Sequence, residues 1–475
     1  MSNKLSTHPS EKTKLKRSSQ QSFFLRLSFF LPIILGFFFY RYINSGAFLP
    51  LSCQLFNLRC PVAKDTVRGF VDPRFNEVKE IFENNIENGE EVGAAVTIYY
   101  QDKIIVDLTG GIADIETGRI YDKDTLQLVF SSTKVLTAIV IARLVEKGLL
   151  DYSEKIATYW PEFAQGNKEN VTLHDLLTHT AGVGWIDIKQ LTINDLKDFN
   201  HFDEILARQP HNFDGKPIRS YHALTRGFYL NAIVRRVDPK HRTIGQIVAD
   251  EILPTYNIDF HYKTSKEIYP RVASIYTYPI PRILGKLLLP KWMISNPLHN
   301  LFNYMFDSST ITFKTLVATS PDQSQPKDWN NFEMLQYEGP SYSGVTNSRS
   351  MAKLAAIMAN EGQPLPGSNE PPLFKKSTFD LLTKNDKTDY DIAIHESITM
   401  LYGGLGNFSL DGLDWQYWGW GGSGGSMLLW NPEHKVAIGY CMNAFHTALL
   451  GDHRSLNLMK SISNTIKKLK VIEEK

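Results

Sequence analysis

Strand-forming sequence lies at both ends of the main body of this chain, with helical and loop-rich sequence between them. Near the start of the body, Ala94–Tyr100 and Lys103–Leu108 are rich in β-branched and aromatic residues and are separated by a short turn, which predicts a hairpin. Near its end, Ser426–Trp430 and Lys435–Met442 predict two more strands joined by a turn. This order predicts one sheet completed by both ends of the body, with an inserted helical subdomain at about 150–340.

The composition is that of a globular protein with a sizeable core. Hydrophobic residues make up 43% and charged residues 21% of the 475 residues. Lysine and arginine total 51 against 50 aspartate and glutamate residues, so the whole chain lacks the basic surplus of a nucleic-acid-binding protein. The 3 cysteines form no CxxC pair, which excludes a disulfide-stapled small scaffold and a CxxC zinc or redox motif.

The N-terminal region predicts a membrane tether. Residues 1–22 form a basic leader, and the apolar residues 23–41 that follow approach the length of about 20 residues that a membrane-spanning helix needs. Positive charge before such a segment favours a cytoplasmic N-terminus, which predicts a single-pass membrane protein with its C-terminal bulk lumenal or extracellular. A cleaved signal peptide, giving a secreted protein, and mitochondrial import are the alternatives. Residues 42–70 are then a linker, and residues 71–470 are the folded domain.

Translocation across the membrane would give two of the three cysteines and two asparagines additional roles. Cys441 lies in an apolar run and is expected to be a buried small hydrophobe. Cys53 and Cys60 lie just past the apolar segment and are expected to pair across a short loop in an oxidising compartment. Asn170 and Asn407 begin N-x-S/T sequons and are therefore candidate glycosylation sites of a secretory protein.

The clearest local chemical pattern is Ser131-Ser132-Thr133-Lys134, at the start of a helix predicted over Ser132–Lys147. This helix is apolar on nearly all sides, so we expect it to be buried. Residues three apart share a helix face, which brings the Ser131 hydroxyl and the Lys134 amine together. A serine is a weak nucleophile until a base takes its proton, and a partly dehydrated lysine can be that base. The pattern therefore predicts a nucleophilic serine, although a serine at a helix N-cap also fits it.

Three further motifs follow in a fixed order and give the chain a specific resemblance. They are Leu176-Leu-Thr-His-Thr-Ala-Gly182, Ser220-Tyr-His-Ala223 and Trp420-Gly-Gly-Ser-Gly-Gly-Ser426. Over about residues 70–450, the order resembles the serine β-lactamase and penicillin-binding-protein superfamily, and is most similar to class C β-lactamase-like proteins and the carboxylesterases that share their fold. The resemblance implies an α/β (α+β) serine β-lactamase-like fold. Its central antiparallel sheet is built from both ends of the domain and flanked by helices, with an inserted mainly helical subdomain.

The resemblance also implies roles for particular residues. Ser131 resembles the acylated nucleophile, Lys134 its proton-relay partner, and Tyr221 the tyrosine that acts as a general base or proton shuttle. We expect the lysine ammonium to hold this phenol near its anionic form. The backbone amides of Ser131 and Ser423 are the expected oxyanion hole. The residues of the expected substrate-binding strand are Trp420, Gly421 and Gly422.

Two positions depart from the superfamily pattern. Ala223 stands where the tyrosine motif usually has asparagine, and Trp420 stands where β-lactamases carry a lysine. The first change removes a side-chain amide expected to contact substrate and lysine, and the second removes the cation that binds a β-lactam carboxylate. Both changes favour esters or amides without that carboxylate. His179 resembles a structural loop residue of the family, and we expect no metal or other cofactor.

A basic and apolar stretch, Ile268–Phe306, contains no acidic residue and lies where family members vary around the substrate cleft. One expectation is that it forms a lid or an acyl-chain wall in contact with the anchoring membrane. The other is a helical subdomain packed on the core.

These features predict a membrane-anchored serine hydrolase that cleaves an ester, amide or peptide through an acyl-enzyme on Ser131. A catalytically inactive scaffold or binding protein of the same fold is the alternative, since fold alone does not establish activity. Acyl transfer to an alcohol or amine would use the same residues. The expected partners are a small-molecule substrate and the membrane, without nucleic acid, and a homo-oligomer is a further option.

Overall fold

A computed structural model of the protein describes residues 30–42, 44–60, 65–282, 307–321, 329–410, 412–446 and 451–473. The strands are β1 (Arg68–Val71), β2 (Gly93–Tyr100), β3 (Lys103–Asp114), β4 (Arg119–Ile120), β5 (Gln127–Leu128), β6 (Phe260–His261), β7 (Tyr276–Thr277), β8 (Val345–Thr346), β9 (Asn385–Asp391), β10 (Glu396–Leu401), β11 (Gly406–Ser409), β12 (Gln416–Gly421), β13 (Met427–Asn431), β14 (Val436–Met442) and β15 (Ala444–Phe445). The α-helices are α1 (Leu51–Phe56), α2 (Asn76–Glu87), α3 (Thr133–Glu146), α4 (Ile156–Tyr159), α5 (Leu173–Leu177), α6 (Phe199–Arg208), α7 (Thr225–Val237), α8 (Ile244–Ile247), α9 (Leu253–Tyr256), α10 (Ile311–Phe313), α11 (Phe332–Leu335), α12 (Ser348–Ala359), α13 (Lys376–Leu382) and α14 (His453–Glu473).

The central sheet joins the two ends of the domain. Its antiparallel strands run in the order β1-β3-β2-β14-β13-β12-β11-β10-β9, with β4 added beside β3. The junction lies between β2 and β14, which pair from Val436 opposite Tyr100 to Met442 opposite Ala94. Both strands are almost wholly buried, which explains why their sequences are apolar without a clear alternation. The predicted fold class, a central antiparallel sheet built from both ends of the domain and flanked by helices, is confirmed.

Helices α12 and α3 are both largely buried in the core. Helix α12 packs on β14 and β2, where the Thr97 and Ser348 hydroxyls form a hydrogen bond of 2.9 Å. Helix α3, which the sequence predicts to be apolar on nearly all sides, is buried along most of its length. Lys134 lies on its first turn and is carried into the core with it.

Between α3 and β8 the chain forms mainly short helices, α4 to α11, in the interval predicted to be an inserted helical subdomain. The described part of the basic, apolar stretch packs on the body. Arg271 pairs with Asp259 at 2.5 Å, and β7 pairs in parallel with β15. Residues 283–306 lie outside the described residues, so the lid stays a prediction.

The structure corrects the prediction of a membrane tether. The leader at 1–22 and the first part of the apolar segment lie outside the described residues, and residues 30–42 are helical. Among the described helices, none is both long and apolar enough to cross a bilayer, for which about 20 residues are needed. The prediction of a single-pass membrane protein with a lumenal or extracellular hydrolase domain is therefore wrong.

The described part of the predicted linker, residues 42–70, is held against the body. Cys53 and Cys60 are joined by a disulfide, with their Cα atoms 4.9 Å apart. Arg282, from the basic and apolar stretch, is buried and donates to the Gln54 side-chain oxygen at 3.0 Å. This segment is thus a docked part of the structure.

Candidate active site

Ser131 lies in a 3₁₀ turn, Phe130–Ser132, that leads directly into α3. Phe130 has a φ of +45°, in the left-handed region that residues other than glycine rarely adopt, so its neighbours must hold this conformation. Its ring packs edge-on against Trp329 and Phe445, with centroids 5.3 Å apart in each pair. Ser131 itself remains partly exposed. The turn therefore presents a hydroxyl to solvent on a backbone whose conformation is fixed by packing.

The end of β12 packs against the same turn. The Ser426 hydroxyl donates to the Val129 carbonyl at 2.8 Å, and a Cβ on Gly422 would lie 2.1 Å from that carbonyl oxygen. Glycine is thus required for the strand to approach the turn this closely. The amide of Ser423, the next residue, donates to no other described residue. This predicted oxyanion donor is therefore available to a ligand.

Three of the predicted residues meet at one hydroxyl group. Lys134 Nζ lies 3.2 Å from Ser131 Oγ, and the Tyr221 hydroxyl donates to the same oxygen at 2.7 Å. The lysine nitrogen also lies over the Tyr221 ring, 4.9 Å from its centroid. Lys134 belongs to α3 and Tyr221 to the loop before α7, so the cluster forms only when these two elements pack together.

Lys134 is fully buried, and no described carboxylate pairs with it. Its Nζ donates to the backbone carbonyls of Ala223 at 2.7 Å and Ser341 at 3.0 Å. Burial, with the charge of Arg226 as the second cause, lowers the pKa of Lys134 well below its ordinary value. A neutral amine has two N–H groups and one lone pair, so the two carbonyls use both donors and leave the lone pair for Ser131. The arrangement suits a lysine that accepts the serine proton.

Tyr221 is a protonated phenol in this site. Burial raises the pKa of Tyr221 to about 12, although its hydrogen bonds with Ser131 and Trp420 act in the opposite direction. The expectation that Lys134 holds the phenol near its anionic form is therefore wrong, because a fully buried lysine itself tends to lose its charge. Trp420 Nε1 donates to the phenol oxygen at 3.3 Å, and its ring stacks on that of Tyr221 at an interplanar angle of 17°. Trp420, expected to contact substrate, thus also supports Tyr221.

A backbone carbonyl makes one of the contacts that the departures from the family pattern remove, and a buried carboxylate supports the tyrosine motif. The Ala223 carbonyl makes the contact to Lys134 that an asparagine side chain was expected to make. Asp391 Oδ1 accepts the Tyr221 amide at 3.0 Å and the Ala393 amide at 2.9 Å. Burial raises the pKa of Asp391, which its three backbone donors partly counteract. Asp391 therefore holds the backbone of the tyrosine motif in place.

A buried cation lies close to this cluster. Arg226, on the first turn of α7, is 0% exposed, donates to the Gly404 carbonyl at 2.9 Å and pairs with no described carboxylate. Burial lowers the pKa of Arg226 only to about 10, so it stays charged near neutral pH. His179 Nδ1 accepts the His222 amide at 3.0 Å, and burial lowers the pKa of both histidine side chains. Both imidazoles are thus neutral near pH 7, and Arg226 carries the local charge.

Sequence motifs alone did not identify Ser341, Asp391 or Arg226. Ser341 acts through its backbone carbonyl, which no side-chain pattern reveals. Asp391 lies at the end of a strand far from the tyrosine motif in the sequence. Arg226 stands three residues after Ala223, at the start of a helix that is buried from Thr225 to Val234, and its closeness to the tyrosine motif was the one signal in the sequence.

The remaining predicted sites lie outside this cluster. Asn170 is exposed and accepts a hydrogen bond from Lys155 at 2.8 Å. Asn407 lies in β11, is 8% exposed and donates to Asn385 at 3.1 Å, so burial opposes its glycosylation in the folded protein. Among the described residues, no group of three or more His, Cys, Asp or Glu side chains is arranged to hold a metal ion.

The fold and the site define a serine hydrolase of the SxxK type. Comparison with known proteins gives the family: its model, Beta-lactamase, matches residues 78–458, so the chain belongs to the Beta-lactamase family. The superfamily resemblance inferred from the motifs and the predicted enzyme class are both confirmed.

Individual relatives fit this assignment. Esterase/beta-lactamase LipL of Mycobacterium tuberculosis is 28% identical over 306 residues, which cover 64% of this chain and 67% of LipL. Esterase EstB of Burkholderia gladioli is 33% identical over 134 residues, which are 26% of this chain and about a third, 34%, of EstB. A penicillin-binding-protein homolog from Caulobacter crescentus is 28% identical, with a TM-score of 0.71 over 84% of this chain and 99% of that one. A family VIII carboxylesterase is 25% identical, with the same TM-score and coverage.

Proposed function

We propose that the domain at residues 71–470 hydrolyses a carboxylic ester or amide through an acyl-enzyme on Ser131. The observation that carries this proposal is the set of contacts around Lys134. Two backbone carbonyls, at 2.7 and 3.0 Å, occupy the N–H groups of a neutral amine, and the third contact is Ser131 Oγ at 3.2 Å. An amine held in this way is oriented to take the serine proton.

In the acylation step, the Ser131 oxygen attacks the acyl carbon while its proton passes to Lys134. The bond to the leaving group then breaks, and the departing oxygen or nitrogen takes a proton from the Tyr221 hydroxyl. Lys134 returns its proton to the phenolate, so both groups regain their starting states. In the second step, water gives a proton to Lys134 and attacks the acyl carbon. The bond between the acyl carbon and the Ser131 oxygen then breaks, Lys134 returns its proton to that oxygen, and the acid and free Ser131 are released.

The amides of Ser131 and Ser423 are the proposed donors to the tetrahedral oxyanion. Support comes from the packing of Gly422 on the Val129 carbonyl, which keeps the end of β12 next to the turn of the nucleophile. Donors fixed before the reaction stabilise the developing charge without a reorganisation cost, and each is worth about 10²–10³-fold in kcat.

The surroundings of Ser131 favour an uncharged acyl ester as substrate. Trp420, 5% exposed, occupies the position where β-lactamases carry a cation, so a carboxylate next to the scissile bond has no ion-pair partner there. Phe130, Trp329 and Phe445 form an aromatic cluster next to Ser131 that suits an apolar acyl group. The esterase names of LipL and EstB support the same substrate class.

A fluorophosphonate probe and a panel of p-nitrophenyl esters test the proposal. We expect the probe to label wild-type protein and to fail with Ser131→Ala, and ester hydrolysis to disappear with it. Lys134→Ala should be labelled only slowly, because the serine has lost its base. Ser132→Ala is the matched control: Ser132 is buried and its hydroxyl lies 3.2 Å from that of Ser426, so labelling should persist. Absence of labelling in folded wild-type protein would favour the catalytically inactive scaffold instead.

A further inference from the structure

Two backbone hydrogen bonds close the glycine-rich turn Gly422–Gly425, from the Gly422 amide to the Ser426 carbonyl at 2.8 Å and from the Gly425 amide to the Gly422 carbonyl at 3.1 Å. The Ser423–Gly424 peptide at its tip lies between these bonds and is the part that would have to be held to place an oxyanion donor. Gly424 and Gly425 have φ values of +87° and +122°, which glycine adopts at little cost. The same freedom lets such a turn move, whereas catalytic groups must be held within about 0.5 Å of the productive geometry. A contact that fixes this turn would therefore contribute to the reaction.

A buried arginine from the C-terminal helix α14 makes such a contact. Arg454 Nη2 donates to the Gly424 carbonyl at 2.6 Å. A Cβ on Gly425 would lie 2.6 Å from the same nitrogen, so the guanidinium occupies the space directly beside the turn. The His446 amide also donates to the Gly424 carbonyl, at the longer distance of 3.4 Å. The residue before Gly424 is Ser423, whose amide is the proposed donor.

Arg454 is itself fixed by two carboxylates. Its guanidinium contacts Glu91 at 2.8 Å and Asp452 at 2.6 Å, and it donates to the Ala444 carbonyl at 3.0 Å. The side chains of Arg454 and Glu91 are both 0% exposed, and the Tyr440 hydroxyl donates to Glu91. Removing one partner of a buried ion pair is strongly unfavourable, so the pairing holds the guanidinium in one position.

We propose that Arg454 is a positioning residue that holds the Ser423 oxyanion donor in place through the Gly424 carbonyl. The inference rests on the proposed function, because it concerns the anion formed when Ser131 attacks the acyl carbon. That anion exists only after attack, so the expected signature is a loss in kcat with little change in KM.

The test compares Arg454→Met and Arg454→Lys with wild type, and uses Tyr440→Phe as a matched control. Tyr440→Phe removes a hydroxyl on the Glu91 side of the network but leaves the bond between Arg454 and Gly424. Burial raises the pKa of Glu91 to about 7, so assays at pH 8 keep its pairing with Arg454 ionised. Labelling with the fluorophosphonate probe counts active sites, so that kcat refers to folded enzyme alone.

We expect kcat to fall about 10- to 100-fold in Arg454→Met, with KM within about twofold of wild type. The kcat of Arg454→Lys should lie between those of wild type and Arg454→Met, because one ammonium cannot bind both carboxylates and the Gly424 carbonyl together. Tyr440→Phe should keep the wild-type kcat. Phenylboronic acid forms a tetrahedral adduct on an active serine, so its affinity should fall by a factor similar to that for kcat.

Wild-type kcat and boronate affinity in folded Arg454→Met would overturn the inference, and so would an equal loss in Tyr440→Phe. If Arg454→Met does not fold, Arg454→Lys decides, and a wild-type kcat there rejects the positioning role. Turnover that survives in Ser131→Ala would reject the proposed function itself. An inactive Ser131→Ala together with a fully active Arg454→Met would reject the positioning role alone.

Discussion

Lys134 and Lys168 are two fully buried lysines with similar immediate surroundings. Lys134 donates to two backbone carbonyls and lies 4.9 Å from the centroid of the Tyr221 ring. Lys168 also donates to two backbone carbonyls, those of Ala207 and Gln209, and lies 5.0 Å from the centroid of a phenylalanine ring. Burial lowers the pKa of both lysines, that of Lys168 to about 8.

The two lysines differ in what completes their surroundings. Lys134 has Ser131 Oγ as a third contact and the charge of Arg226 nearby, whereas the charge of Glu169 raises the pKa of Lys168. The ring next to Lys134 also carries a hydroxyl that is bonded to the same serine. Burial therefore lowers the pKa of both lysines, but only Lys134 also has a serine hydroxyl in contact and a nearby cation that lowers its pKa further, as the proposed role of a base requires.

Replacing each lysine with methionine gives the largest expected contrast. Lys134→Met should lower kcat/KM about 10²- to 10⁴-fold, because Ser131 loses its general base. Lys168→Met should leave kcat/KM unchanged and lower the free energy of unfolding by about 1–3 kcal/mol, because two buried carbonyls lose their donor. Ester hydrolysis and urea unfolding of both variants measure the two effects. A larger loss of kcat/KM in Lys168→Met than in Lys134→Met would contradict the assignment of Lys134 as the base.

Tyr221→Phe makes the ring beside Lys134 match the ring beside Lys168. We expect kcat to fall about 10²-fold for alkyl esters, because the leaving alkoxide loses its proton donor. The defect should be smaller for p-nitrophenyl esters, whose leaving group departs as a stable anion. Equal defects for the two ester classes would show that Tyr221 does not donate to the leaving group.

Arg226→Met removes the cation that lowers the pKa of Lys134 and should therefore shift the pH dependence of kcat/KM. Lys134 must be neutral to act as a base, so activity rises as pH passes upward through its pKa. Because the charge of Arg226 lowers that pKa, its removal should raise it and shift the acid limb of kcat/KM to higher pH. The plateau at high pH should be retained. His179 and His222 also face this region, but burial lowers the pKa of both, so they do not set the limb.

Arg226→Lys is the control for this experiment because it keeps a charge at the same place. Its acid limb should stay closer to that of wild type than the limb of Arg226→Met. A limb at the wild-type position in folded Arg226→Met would show that desolvation alone sets the pKa of Lys134.

Local patterns in the sequence predicted much of the fold and the cluster around Ser131. The sequence predicts β2, β13 and β14 to within one residue at each end because their apolar runs end at clear turns, whereas β3 continues six residues past the predicted end at Leu108, to Asp114. The spacing of Ser131 and Lys134 predicts their contact because the first turn of a helix fixes it. Tyr221 was selected by its place between two motifs, and its hydroxyl lies 2.7 Å from Ser131 Oγ.

Other contributors could not be predicted because each acts across a long sequence separation. The Ser341 carbonyl reaches Lys134 from a segment without a motif, and Arg454 reaches the glycine-rich turn from the last helix. The membrane tether was predicted from an apolar segment and the basic residues before it, whereas the length of a helix is a property of the folded chain. Asn407 satisfies a sequon, but its strand lies within the sheet.

The sequence by itself determined the reactive groups, their order along the chain and the sheet that both ends of the domain complete. These features depend on residue type, periodicity and short spacing, which local physical chemistry governs. Only the tertiary structure decided the protonation states, because the pKa of Lys134 and of Tyr221 depends on how completely each is buried and on which charges lie nearby. The sequence thus identified a serine with a lysine and a tyrosine as its expected partners, and the packing around them lowers the pKa of the lysine and raises that of the phenol.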